Sequence, residues 1–208
     1  MDIVSLNLSR VDTRNVTSMS DLFWDCSGLT SLDLSFLDTT NVTSMGGMFS
    51  FCSGLTSLDL TPLTTTKVTD MNHMFACCTN LTSLDLSSFD TTNVTSMDGM
   101  FENCSGLTSL NLSSFDTIKV EYMSFMFENC SGLTKLTLSS SFFNSTDLTT
   151  YDFSGLVAWT DTESLANFVS VLPTITTTKT LDLSSNTKSA LTEEQISTIT
   201  TTKGWTIE

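Results

Sequence analysis

Histidine is nearly absent from this chain: among 208 residues only His73 occurs. With one histidine, no G-x-S-x-G and no H-E-x-x-H, the common hydrolase constellations are missing. Basic residues are scarce as well, 8 Lys plus Arg against 23 Asp plus Glu, for a net charge of −15. Such a surface cannot neutralise phosphates, which excludes nucleic acid and argues against anionic membranes. No run of eighteen apolar residues occurs, so no membrane insertion is expected. The N-terminus shows no basic segment followed by an apolar stretch, so no secretion signal is read in it. The six cysteines contain no C-x-x-C, which excludes the usual zinc spacing. No cofactor is expected.

What is present is repetition. The phrase "NVTSMGGMFSFCSGLTSLDL" at 41–60 recurs five times in near-copy at a period of 26 residues. Cys26, Cys52, Cys78, Cys104 and Cys130 hold the register. So do Val16, Val42, Val68, Val94 and Val120, and Phe23, Phe49, Phe75, Phe101 and Phe127. A fixed period of this size predicts units that bury their apolar sides only by stacking on one another. One thiol per unit, all facing one core, predicts buried free cysteines behaving as small hydrophobes. Cys77 lies off the column and is expected to be the most accessible.

Each unit divides in two. Met45, Met48, Phe49 and Cys52 fall at i, i+3, i+4 and i+7, which predicts a two-turn helix. Thr43 is its expected N-cap, and Gly54 its left-handed stop, with Gly28, Asn80, Gly106 and Gly132 as equivalents. "LTSLDL" then alternates at period two, which predicts a short strand pairing in parallel with its counterparts at about 4.8 Å. The fold class expected is an α/β repeat: a right-handed solenoid with a parallel sheet and short helices.

An L-x-x-L-x-L strand with a helix in each unit is a leucine-rich-repeat arrangement. "LTSLDLSSFDTTNVTSMDGMFENCSGLTSL" further resembles the repeat of BspA-like leucine-rich-repeat surface proteins, over roughly residues 3–138. The resemblance implies a cell-surface or secreted protein that binds other macromolecules, with no catalytic residues.

Residues 1–138 are expected to form the array, and 139–208 irregular capping coils continuous with it. After Leu138 the period is expected to break. A helix is expected in "TESLANFVSVL" before Pro173, a strand in "TKTLDLSS", a capping box at Thr192 and Gln195, a stop at Gly204 and a last strand in "WTIE". At the other end, Ile3, Leu6 and Leu8 match Leu29, Leu32 and Leu34, so the chain enters in a strand without a cap. Its edge, with Met19, Leu22 and Phe23 left open behind it, is expected to dock a preceding domain or another subunit.

Binding residues are expected on the outward strand positions. They form three columns, Ser31, Ser57, Ser83 and Ser109; Asp33, Asp59, Asp85 and Asn111; and Ser35, Thr61, Ser87 and Ser113. Duplication of a merely soluble surface would produce the same columns, and both readings stand at this point. His73 reads as a solvated helix residue, and no carboxylate pair marks a glycosidase cleft. Sequons at Asn41, Asn93 and Asn103 recur because the repeat recurs. The function expected is a non-enzymatic, adhesion-type module taking a protein or glycan ligand. The alternative is a structural or receptor-binding component of a larger assembly, such as a phage virion or surface appendage.

Overall fold

The computed structural model describes residues 3–208. It is an α/β arrangement of parallel strands and a few short helices, and no sheet closes. Successive 26-residue units stack in parallel. A line of single bridges joins Ser18, Ser44, Asp70, Ser96 and Tyr122. Strands β1 (Ser109–Leu112) and β2 (Lys135–Leu138) pair in parallel at the same offset, Leu110 opposite Leu136. In the earlier units the equivalent segments form no regular ladder. Leu32 and Leu58 there are half-buried, whereas Leu110 and Leu136 are sealed.

The expected two-turn helix is absent. Residues 45–52 form three overlapping turns, closed by Met48 N–H to Met45 O, Ser50 to Gly47 and Cys52 to Phe49. The intervening amides leave the unit altogether. Met45, Gly47, Phe49 and Phe51 donate to Asp70, Asn72, Met74 and Ala76 of the next unit. A helix needs every amide for its own i−4 carbonyl; here every second one is committed to a neighbour. The apolar stripe was read correctly as core, since Met45, Met48, Phe49 and Cys52 are fully buried. Two further details change with it. Thr43 caps nothing, its hydroxyl donating to Thr17 O of the previous unit at 3.1 Å. Gly54 does not have positive φ. It is small because a Cβ there would meet the carbonyls of Ser27 and Leu29.

Side chains complete the stitching. Thr13, Thr39, Thr65, Thr91 and Thr117 are buried. Thr65 Oγ1 donates to Asp90 O at 3.0 Å and accepts the Asp90 N–H at 2.8 Å. Thr39 serves Thr64, and Thr91 serves Asp116, in the same way. One hydroxyl thus satisfies both backbone groups of a residue in the next unit. The thiols act similarly: Cys52, Cys78, Cys104 and Cys130 donate to the carbonyls of Phe23, Phe49, Phe75 and Phe101 at 3.0–3.1 Å. Between these columns, Phe23, Phe49, Phe75, Phe101, Phe127 and Phe153 stack with centroids 5.5–6.1 Å apart.

That phenyl column carries the register past the expected break at Leu138, since Phe153 lies 26 residues beyond Phe127. Phe153 ends strand β3 (Thr150–Phe153), which opens a second parallel sheet. Helix α1 (Thr162–Val171) follows, with Asp161 accepting from Ser164 N as its cap. It covers the free edge of β2. Ser164 Oγ takes the Leu136 N–H at 2.9 Å and donates to Leu136 O at 2.5 Å, and Asn167 Oδ1 takes Leu138 N–H at 3.2 Å. A strand edge that would invite another chain is thereby closed by side chains. Strand β4 (Thr180–Leu183), helix α2 (Ser185–Ala190), helix α3 (Glu193–Ser197) with its Thr192–Gln195 capping box, and strand β5 (Thr206–Ile207) complete the order. Gly204 stands at φ +80 before the last strand, as its place in the sequence anticipates.

The N-terminal end is more closed than expected. Met19 and Phe23 are buried, and Leu8 packs against the core. Leu22 is exposed, as are Ile3, Val4, Leu6 and Val11.

Two outcomes test this scheme. Thr65→Val keeps the shape and leaves the Asp90 amide and carbonyl unpaired, so urea unfolding should show a loss of about 1–3 kcal/mol. Thr65→Ser should lose only about 1 kcal/mol, the worth of a methyl. Burial pushes the Cys52 and Cys130 thiols up to about 12. Native-state alkylation followed by mass spectrometry should therefore modify Cys77 first, and the five column thiols only when the chain unfolds. Modification of Cys52 or Cys104 ahead of Cys77 would contradict the packing described.

Candidate functional site

The three strand columns are exposed throughout, from Ser31, Ser57, Ser83 and Ser109 to Ser35, Thr61, Ser87 and Ser113. Their carboxylates already have work. Asp33, Asp59, Asp85 and Asn111 each turn Oδ1 back onto the amide two residues on. They accept from Ser35, Thr61, Ser87 and Ser113 at 2.9–3.0 Å. Asn7 and Asp152 repeat the arrangement with Ser9 and Ser154. These are Asx turns that end the extended segment. The Thr61 hydroxyl also donates to Asp59 Oδ1 at 2.7 Å. That bond, with the Thr61 amide, holds the Asp59 carboxyl below the usual range. The second carboxylate oxygens stay free, and the columns form a flat polar face.

A hollow of about 690 Å³ lies on the other flank, over the turns. Its lining includes Trp24, Phe51, Asp70, His73, Glu102 and Asn103. The backbone scheme explains the shape. Within the turns, residues four apart adopt positive φ: Asp21 and Asp25, Gly47 and Phe51, His73 and Cys77, Gly99 and Asn103. Gly47 fits because a Cβ there would run into the Asp21 carboxylate. Small residues, Gly46, Gly47, Ser50 and Ala76, are buried beneath the hollow. Large side chains rise around it. Trp24 and Phe51 meet edge to face at 6.0 Å, yet stay 55% and 45% exposed.

Its polar groups are mostly acceptors. Asp70 accepts from Ser44 Oγ at 3.0 Å and from the Asn72 amide at 3.0 Å. His73 lies on a turn rather than a helix, its Nε2 3.3 Å from Glu102 Oε2. Asn103 Nδ2 donates to Glu102 Oε1 at 3.0 Å. No lysine or arginine lines the hollow. Among the described residues no cluster of three or more metal-ligating side chains occurs, and no helix is long and apolar enough to cross a membrane. Two of the sequon amides are engaged in the stack, Asn41 Nδ2 with Arg14 O and Asn93 Nδ2 with Thr66 O.

The outward strand positions had been singled out because they repeat; the hollow is made where the units differ. Aligned on the period, Trp24 matches Ser50, Ala76 and Glu102, and Asp25 matches Phe51, Cys77 and Asn103. The signal was in the sequence as variation within an otherwise copied phrase.

Stacked 26-residue units bearing a lateral hollow define a repeat protein whose surface is separable from its core. Residues 2–83 and 51–162 match the family described as Mycoplasma protein of unknown function, DUF285, and the chain belongs to it. No curated protein and no solved structure matches the chain.

Asp59 tests whether the strand column is built into the turn. A lowered carboxyl pKa adds stability above the unfolded carboxyl range, and that contribution is lost as pH falls through the folded value. Asp59→Ala should lower Tm at pH 7, and the deficit should narrow below about pH 4. Asp59→Asn, which keeps an accepting oxygen without its charge, should lose clearly less than Asp59→Ala at pH 7. A loss with Asn equal to that with Ala would remove the turn from the account.

Proposed function

We propose that the chain is a non-enzymatic macromolecule-binding module, a leucine-rich-repeat solenoid of the BspA-like kind acting at a cell surface or as a secreted protein. The observation that supports this most is the division of labour within the repeat. Positions that stack are copied almost unchanged, as in the Thr, Phe and Cys columns. Positions around the hollow are not, and they include the exposed aromatic pair Trp24 and Phe51. Exposed aromatics beside placed polar groups are the usual composition of a recognition anchor. The strand columns, flat and polar, suit a wide and weak contact with a protein or glycan.

A second reading has its own support. Ile3, Val4, Leu6 and Val11 leave an apolar end exposed. That fits a component of a larger assembly, such as a virion or surface appendage, docked through residues 3–11, which form an irregular entry and not the strand expected there.

Retention on a panel of purified extracellular glycoproteins and glycans, measured by surface plasmon resonance, tests the leading reading. Trp24→Ala with Phe51→Ala should abolish retention on the best member of the panel. Ser31→Arg with Ser57→Arg and Ser83→Arg should weaken it at most a few-fold. Retention unchanged by both variants, or no retention at all, would overturn the proposal.

A further inference from the structure

We infer that the hollow over the turns takes a cationic side chain, the lysine or arginine of a basic polypeptide segment. This rests on the binding-module reading and names the partner's chemistry.

Charge comes first. The lining carries the carboxylates of Asp21, Asp70 and Glu102, and none of the chain's eight lysines and arginines. Lys67 and Lys119 are turned to Asn41 and Asn93 of neighbouring units, outside the lining. An anionic ligand would meet uncompensated repulsion there, while a cation would meet attraction focused by the walls.

The aromatic pair points the same way. Trp24 and Phe51 present accessible ring surface at one end of the hollow. A guanidinium or ammonium over an indole face, with carboxylates close by, gains both cation–π and ion-pair attraction.

A short oligo-arginine peptide is the probe, with oligo-glutamate, a Gly-Ser peptide and a neutral malto-oligosaccharide as comparisons. Trp159 and Trp205 are 0% and 2% exposed, so a change in accessible tryptophan emission reports Trp24. The expected result is quenching by oligo-arginine alone, weakening as salt rises. Calorimetry should then show affinity falling about tenfold in Trp24→Ala, the scale of one desolvated cation–π contact. Because the whole protein is acidic, position must be separated from net charge. Asp70→Asn with Glu102→Gln should weaken peptide binding at least as much as Trp24→Ala does. Glu193→Gln with Glu194→Gln removes the same charge from the exposed start of helix α3, outside the hollow and the strand columns, and should leave binding within about twofold, as expected for exposed, salt-screened charges. Equal losses in the two double variants would reduce the effect to general attraction and overturn the inference. Quenching by the oligosaccharide without the peptide would replace it with a sugar site. Retention on the glycoprotein panel with no peptide binding would sink this inference and leave the binding module standing; failure of both would remove both.

Discussion

No unit of this protein can satisfy its own backbone. In the first four sets of turns every second amide closes a turn, and the amides between them point along the stack to the next unit. Buried amides and carbonyls need partners, so a single unit is not a folding unit, and stability resides in the contacts between neighbours. The composition follows from this. Threonine fills a buried column because a short hydroxyl reaches both backbone groups of one residue across the gap. Cysteine fills another because a thiol is small and apolar, yet still donates to a phenylalanine carbonyl that already accepts one amide. Valine would pack at the threonine places and leave the amide and carbonyl of that residue across the gap unpaired.

The acidic surplus has a related origin. Asp12, Asp38, Asp90 and Asp116 accept the amides of Arg14, Thr40, Thr92 and Ile118, as the strand-column carboxylates accept those of Ser35, Thr61 and Ser87. An Asx corner binds the charged form of its side chain best. A chain that turns several times in each unit, and repeats the unit, collects negative charge as a by-product of turning. The net charge alone therefore says little about a ligand, and only its placement around the hollow carries an argument.

The period, the core columns, the free thiols and most of the C-terminal elements were legible in the sequence, because each rests on spacing. The helix was misread for a definite reason. Met45, Met48, Phe49 and Cys52 satisfy i, i+3, i+4 and i+7, and overlapping turns place the same residues in the core. Hydrophobic periodicity does not reveal where the amides go. The discriminating residues were Gly47 and Gly99, with Asp21 at the equivalent place and Asp25, Asn103 and Asn129 at the place four residues on, all at positive φ. Gly, Asn and Asp are the types that tolerate that region, and their recurrence at two positions four apart in the unit argues for turns over helix. Phe51, His73 and Phe125 occupy the same places and obscured the pattern. The hollow was missed because sameness was taken as the mark of importance, whereas in a stacked array sameness marks the packing.

That separation has a physical consequence for the surface. Side chains around the hollow add little to the stitching, which is carried by backbone amides, Thr hydroxyls, thiols and stacked rings. Substitutions at positions such as Trp24, Phe51 or Glu102 remove only part-exposed contacts between units and spare the backbone, Thr and thiol bonds that hold the stack together. Changes in the Thr column act directly on one interface, and changes in the Phe column on two at once. A stack of this kind can alter what it presents along one flank while the core repeats unchanged, and its turns set the limit. Where φ is positive, a residue must be Gly, Asn or Asp, or else carry the strain of a side chain in that region. Phe51 and His73 carry that strain at the edge of the hollow, where neither the stitching nor the phenyl column requires their side chains. Backbone strain retained at such places is an argument for use of the side chains themselves.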